Sequence, residues 1–362
     1  MQKEKWKNNG NKYSSNTGDG IGPEITEATE QVLKRVCEIY GHVLNITHVK
    51  ACSSSIEETG EPLPKESLKK CLQADAVLLG NTGLEKYKNE PLTKRPEYAL
   101  LKLRKELGVT TNLRPVRLYP TLMELSPLNK NALSGGLDYL FVRDIAGGVF
   151  CSAKVQGNGD GGREAYEYEY YNETIVRKTA YTAFKLAKSR KNKVTNLDKS
   201  NVLGSSRLWR QTVQQVSEDF PDVELEHLYI DNAAMELIRN PGRFDVFVTS
   251  NLFGDIISDE GTELTGTPYL YPSAELSNTE QGIYTPNQLH YPDESVIGKD
   301  MVNPIGMIAA AARMLRLSFG LEAEAGAIEE AIRQVLAANI ATADIWHKGK
   351  ILVGTKEMGK RI

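Results

Sequence analysis

RFDVFVTS (243–250), followed without a break by NLFGDIISDE (251–260), is the stretch that decides how this chain is read. The first part is a short apolar run of strand length, and the second has the spacing of a helix beginning near Gly254. Asp255 and Asp259 stand four residues apart, so a helix puts both carboxylates on one face. Two negative charges at the C-terminal edge of a strand form an oxygen-rich site suited to Mg²⁺ or Mn²⁺. Acids in a first helical turn also simply favour the macrodipole, so the pair alone leaves a purely structural explanation open. Asp231, in LYIDNAAMEL after another strand-like run, supplies a third acid.

Working outward, DAVLLG (75–80), GLDYLFVR (136–143) and KVTNLDK (193–199) also read as strands. Residues 24–40, 65–73, 96–107, 171–190, 206–218 and 304–319 carry helical periodicity. That alternation implies an α/β fold with helices on a mostly parallel sheet. At 362 residues the chain is comfortable for two domains, and no low-complexity tether separates them, so crossovers must divide it. GDGIGPEI (18–25) is a glycine-rich turn entering a helix with Pro23 near its first position. It is not a GxGxxG fingerprint, and NKYSSNT before it lacks the apolar content of a strand, so no classical Rossmann fold is expected. VFCSAKVQ (149–156) and REAYEYEYY (163–171) flank the turn GNGDGG as a two-stranded ribbon would. Such a ribbon is marginal alone; it pairs with its copy in a second subunit or is an ordinary surface hairpin.

Composition removes several function classes. An apolar fraction of 40% with 25% charged residues is that of a globular protein, and a net charge of −3 gives no electrostatic footprint for nucleic acid. No apolar run approaches the length of a membrane span, and the polar N-terminus has no signal-peptide centre. Cys37, Cys52, Cys71 and Cys151 are scattered, which points to a reducing cytoplasm and away from a disulfide framework or thiolate zinc site.

Arg104 in ALLKLRKEL, Arg114 in TNLRPVR and Arg143 at the end of DYLFVR are placed to hold carboxylates through planar forks. Beside an acidic cluster they suggest a small substrate with at least two carboxylates. Lys199, ending KVTNLDK, and Tyr171, closing the ribbon, are the candidates for moving protons.

GDGIGPEI, LRKELGVTTNLRPVR, LDKSNVL, DNAAMELI, NLFGDIISDEG, LYPSAELS and VGTKEMG together resemble the isocitrate/isopropylmalate dehydrogenase family, in register from about residue 18 to the C-terminus, and within it the isopropylmalate branch. The resemblance implies a two-domain fold with a mostly parallel central sheet. Residues 1–109 plus 266–362 would form a cofactor-side domain. Residues 110–265 would carry substrate, metal and dimer contacts, with a hairpin arm near 149–171. It implies that Arg104, Arg114 and Arg143 grip the malate carboxylates, that Tyr171 and Lys199 are catalytic, and that Asp231, Asp255 and Asp259 bind the metal. Lys199 and Asp231 would come from a partner subunit, making the enzyme a homodimer with shared sites. Ile21, Glu97, Asp293 and Asn303 would contact NAD, and Leu100, Leu101 and Val202 would wall the alkyl group. An apolar wall would leave isocitrate's third carboxylate desolvated and unpaired, which favours an alkylmalate.

Three segments depart from the family pattern: NKYSSNT (11–17), where the family has an apolar strand, TPNQLHYPDESVIGKDMVNP (285–304) and LGNTGLEKYKN (79–89). Asp293 or Glu294 accepting ribose hydroxyls would favour NAD over NADP. The departures leave open a different 3-substituted malate or D-malate as substrate, and a regulatory subunit with a degenerate cofactor site.

Overall fold

The computed structural model describes residues 11–277, 281–289 and 294–362. The chain divides into two compact units, one of Met1–Val109, Tyr119–Leu125 and Gly266–Ile362, the other of Thr110–Leu118 and Ser126–Thr265. In chain order the strands are β1 Asn11–Asn16, β2 Leu44–His48, β3 Ala76–Leu79, β4 Val109–Arg117, β5 Asp138–Asp144, β6 Val155–Gly159 and β7 Gly162–Tyr166. They continue as β8 Lys193–Asp198, β9 Glu224–Tyr229, β10 Val246–Thr249, β11 Pro272–Ser277, β12 Gly282–Pro286, β13 Ile340–Ala341 and β14 Ile351–Leu352. The helices are α1 Gly22–Tyr40, α2 Cys52–Thr59, α3 Lys65–Gln73, α4 Tyr98–Leu107, α5 Glu173–Ala187 and α6 Gly204–Ser217. After them come α7 Ile230–Arg239, α8 Asn251–Glu263, α9 Ile305–Leu317, α10 Glu322–Ala337 and α11 Thr355–Arg361. Among the described residues no helix is long and apolar enough to cross a membrane.

The first unit orders its strands β2-β1-β3-β12-β11, parallel except where β11 meets β12. The second orders them β4-β5-β10-β8-β9, parallel except where β4 meets β5. Both are thus mostly parallel sheets with helical crossovers, as the alternation implies. Their strand-to-helix turns at Gly18 and Ser250 lie at C-terminal strand ends, where α/β folds carry ligands.

NKYSSNT overturns one expectation: it forms β1, an inner strand of the first unit. Hydrogen bonds replace the missing apolar content. Ser14 Oγ donates to Lys70 O at 3.2 Å, Ser15 Oγ to Glu30 Oε1 at 2.6 Å, and Asn16 Nδ2 to Val49 O at 2.7 Å. Buried polar groups with partners avoid most of the desolvation cost. The turn after β1 requires its first glycine: Gly18 has φ +71°, and a Cβ there would lie 2.0 Å from Asn81 O.

Two boundaries also shift. The ribbon is shorter than its sequence limits, because Val149–Cys151 coil into a 3₁₀ turn and the pairing runs only from Val155↔Tyr166 to Gly159↔Gly162. Helix α8 starts at Asn251, not Gly254. Gly254 sits inside it, where a Cβ would lie 2.7 Å from Arg143 Cγ. With Gly261, which faces Phe141, it lets α8 lie close against β5.

Candidate active site

In the second unit, α8 and the adjacent strands bring four predicted residues together. Arg143, at the end of β5 and 3% exposed, donates Nε and Nη2 to Asn251 Oδ1 at 3.1 and 2.8 Å and Nη1 to Asp255 Oδ1. Arg114, from β4, donates Nη1 to Asp259 Oδ1 at 2.9 Å and to Ser258 Oγ at 2.7 Å, and lies 3.5 Å from Asp255 Oδ1. Asp255 is therefore shared by two guanidinium groups. Arg114 Nε is buried without a partner, a spare donor that suits an added anion. The side chains of Asp255 and Asp259 are 38% and 59% exposed on consecutive turns, hard oxygen donors of the chemistry Mg²⁺ or Mn²⁺ selects.

Lys199 and Asp231 form a separate pair. Lys199 follows β8, and Asp231 occupies the first turn of α7 after β9. Lys199 Nζ donates to Asp231 Oδ1 at 2.8 Å, and that bond holds the Asp231 carboxyl below its usual range. The turn carrying Lys199 is fixed by Asp198, which accepts Ser200 N–H at 2.9 Å and both guanidinium arms of Arg210 at 2.8 and 3.0 Å. Among the described residues of one chain, no three acidic, histidine or cysteine side chains gather as a metal cage.

Tyr171 precedes α5, whose first turn Asn172 caps by accepting Ile175 N–H at 3.0 Å. Tyr171 is 7% exposed and its neighbour Tyr170 is 59% exposed, so only one of the two is a fixed group. Burial pushes the Tyr171 phenol well above its ordinary value.

The first unit carries the rest. Arg104, in the last turn of α4, clasps buried Glu275 of β11 with two bonds, one from Nε at 2.8 Å. On the same helix Leu100 is buried at 4% and Leu101 is exposed at 39%, while Val202 in the second unit is 63% exposed. Glu97, before α4, has a buried Oε2 without a partner. Ile21 and Asn303 line one cavity of about 250 Å³ with Tyr269, Val296, Met301 and Asp344. Asn303 Nδ2 donates to Asp344 Oδ2 at 3.0 Å. Asp293 lies outside the described residues.

Sequence reasoning missed Asp19, Asp144 and Asp344. Asp19 is buried, and its carboxylate accepts Ser53 N–H at 2.8 Å and Gly83 N–H at 2.9 Å. An acid inside a glycine turn was the available signal. Two of the segments that depart from the family pattern, 79–89 and 285–304, meet each other: Asn81 Nδ2 donates to Gln288 O at 2.7 Å, Thr82 N–H to Leu289 O at 3.0 Å, and Glu85 N–H to Glu294 Oε1 at 2.8 Å.

Comparison with known proteins fits this arrangement. The isocitrate/isopropylmalate dehydrogenase family matches residues 14–362. A 3-isopropylmalate dehydrogenase of Clostridium acetobutylicum is 45% identical over 345 residues, covering 95% of this chain and 96% of that relative. One from Pseudomonas syringae pv. tomato is 45% identical over 349 residues, again 95% of this chain and 96% of the relative. Isocitrate dehydrogenase from Methylococcus capsulatus, a solved structure, superposes with a TM-score of 0.84 at 25% identity, over 97% of this chain and 98% of that one. With a family match over residues 14–362 and relatives 45% identical over 95% of its length, the chain belongs to the isocitrate/isopropylmalate dehydrogenase family of enzymes.

Proposed function

We propose that this protein oxidatively decarboxylates a 3-alkylmalate, above all 3-isopropylmalate, to the corresponding 2-oxo acid, with NAD and Mg²⁺ or Mn²⁺, in leucine biosynthesis in the cytoplasm. The observation that carries this reading is the cluster of Arg114, Arg143, Asp255 and Asp259, in a chain 45% identical to 3-isopropylmalate dehydrogenases. The partnerless Arg114 Nε and Glu97 Oε2 support ligands of opposite demand, an anion at the first and a hydroxyl or amide donor at the second. The cavity beside Ile21 and Asn303, apolar with one polar edge, suits a flat heteroaromatic base.

Asp255 and Asp259 with Asp231 would hold the cation, which would supply polarisation of the C2 oxygen, and the dinucleotide would supply the hydride acceptor. Arg104, Arg114 and Arg143 orient the two carboxylates. Lys199 takes the proton of the C2 hydroxyl, and Tyr171 returns a proton to C3 after CO₂ leaves. Leu101 and Val202 offer apolar surface to the alkyl group.

A homodimer completes the reading. Lys199 and Asp231 bond to each other, and Met235 and Ile238 of α7 and Ile256 of α8 expose large apolar side chains at 45%, 53% and 63%. A second copy covering that face would remove them from water. The direct test is NADH formation by purified protein with Mg²⁺ or Mn²⁺ over isopropylmalate, isocitrate, D-malate and bulkier alkylmalates. Turnover is expected with isopropylmalate. Preference for another malate, or dinucleotide binding with no turnover across the panel, would overturn the assignment.

A further inference from the structure

Arg104 and Glu275 are 171 residues apart in the chain, and both belong to the first unit. The helix that carries the arginine is anchored by its apolar side, since Ala99, Leu100, Leu103 and Leu107 of α4 are all buried. Arg104 stands in its last turn. An arginine there has competing acceptors, because the final carbonyls of a helix lack intrahelical partners and attract cationic side chains. Here the N–H of Gly108 already bonds the carbonyls of Arg104 and Lys105. The arginine side chain turns to β11 instead. Its Nε donates to Glu275 Oε2 at 2.8 Å and its Nη2 to Glu275 Oε1, a pair of bonds that sets the plane of the guanidinium.

The two partners differ in reach. The side chain of Glu275 is 2% exposed and that of Arg104 is 23% exposed. Glu275 is also held in place by its strand, which pairs with β12 through Ala274↔Tyr284 and Glu275↔Ile283. A ligand arriving from solvent therefore meets the arginine and not the acid. Because Glu275 occupies the Nε–Nη2 edge, a second carboxylate can engage the fork only across its Nη1–Nη2 edge. An arginine without such a clamp would offer either edge, and each binding event would have to order its side chain anew.

We propose that Glu275 is the positioning residue for Arg104: it binds one edge of the guanidinium and thereby presents the other to a carboxylate of the malate. This rests on the reading of Arg104 as a substrate-binding residue. The arginine is then ordered during folding, before substrate arrives, so the effect falls on substrate binding and spares the dinucleotide.

The test compares wild type, Glu275→Gln, Arg104→Gln and the double variant, assayed with isopropylmalate, NAD and Mg²⁺, with unfolding midpoints measured in parallel. Glu275→Gln is expected to raise KM for isopropylmalate roughly tenfold and to leave KM for NAD within about twofold. In the Arg104→Gln background it should raise KM no further. An equal rise in both backgrounds, or a wild-type KM in folded Glu275→Gln, overturns the proposal and leaves the reading of Arg104 standing. An unchanged isopropylmalate KM in Arg104→Gln removes that reading and the proposal with it. Should Glu275→Gln fail to fold, Glu275→Asp keeps the charge but shortens its reach. Its smaller rise in KM must likewise vanish in the Arg104→Gln background, and a wild-type KM there overturns the proposal.

Discussion

Lys199 Nζ and Asp231 Oδ1 lie 2.8 Å apart, and this contact leaves Asp231 bound to a lysine of its own chain. If both residues serve the active site of a partner subunit, two inactive variants will complement each other. A Lys199→Ala chain keeps Asp255, and an Asp255→Asn chain keeps Lys199. Mixed in equal amounts and allowed to exchange, they should recover roughly a quarter of wild-type activity, since half the dimers are mixed and each has one intact site. No recovery, with exchange verified, would place the whole site within one chain.

Asp255 is bonded to Arg143 and lies within ion-pair reach of Arg114, so its neutralisation has two consequences. Asp255→Asn should raise the Mg²⁺ or Mn²⁺ concentration for half-maximal activity by at least about tenfold. It should also lower stability by about 1–3 kcal/mol, because buried Arg143 loses its charged partner. Thermal unfolding with and without cation checks both: cation should raise the wild-type midpoint and leave that of the variant nearly unmoved.

Gly18→Ala should destabilise the protein by about 2 kcal/mol or more, since φ is +71° and the added Cβ would meet Asn81 O at 2.0 Å. Urea unfolding measures this directly. An unchanged midpoint would mean that the turn between β1 and α1 yields readily.

Burial lifts the Asp144 carboxyl from its ordinary 3.8 to about 6. Between those values the folded protein binds more protons than the unfolded chain, so this residue's contribution to stability falls as pH rises from about 4 to 6 and is flat above. The full change is roughly 3 kcal/mol. Denaturant titrations across that window should show the decline reduced in Asp144→Asn by that amount; equal slopes in both proteins would contradict it.

Much of this was legible in the primary structure wherever apolar runs were unmixed. DAVLLG, DYLFVR and DVFVTS are strands because their side chains are buried on both faces, and the residues at their ends fall where such strands stop. β2 escaped notice because most of its residues are exposed, and β11 and β12 because serine, threonine and tyrosine occupy buried positions there. Pairings across long separations had no local signature. Glu275 is 171 residues from Arg104, and nothing near either residue announces the other. Asp144 was hidden for another reason: beside Arg143 it looks like an ordinary charged pair, and only its lack of exposure sets it apart.

The hydroxyl- and amide-rich β1 has a consequence for motion. Oily side chains tolerate sliding, but Ser14, Ser15 and Asn16 each need one particular acceptor, so the strand can occupy a single alignment. The same inventory leaves Tyr13 Oη and Asn11 Oδ1 buried and unanswered. This seam should therefore exchange its amide hydrogens earlier than β3 beside it, and each such opening would momentarily unhook the glycine loop anchored at its end.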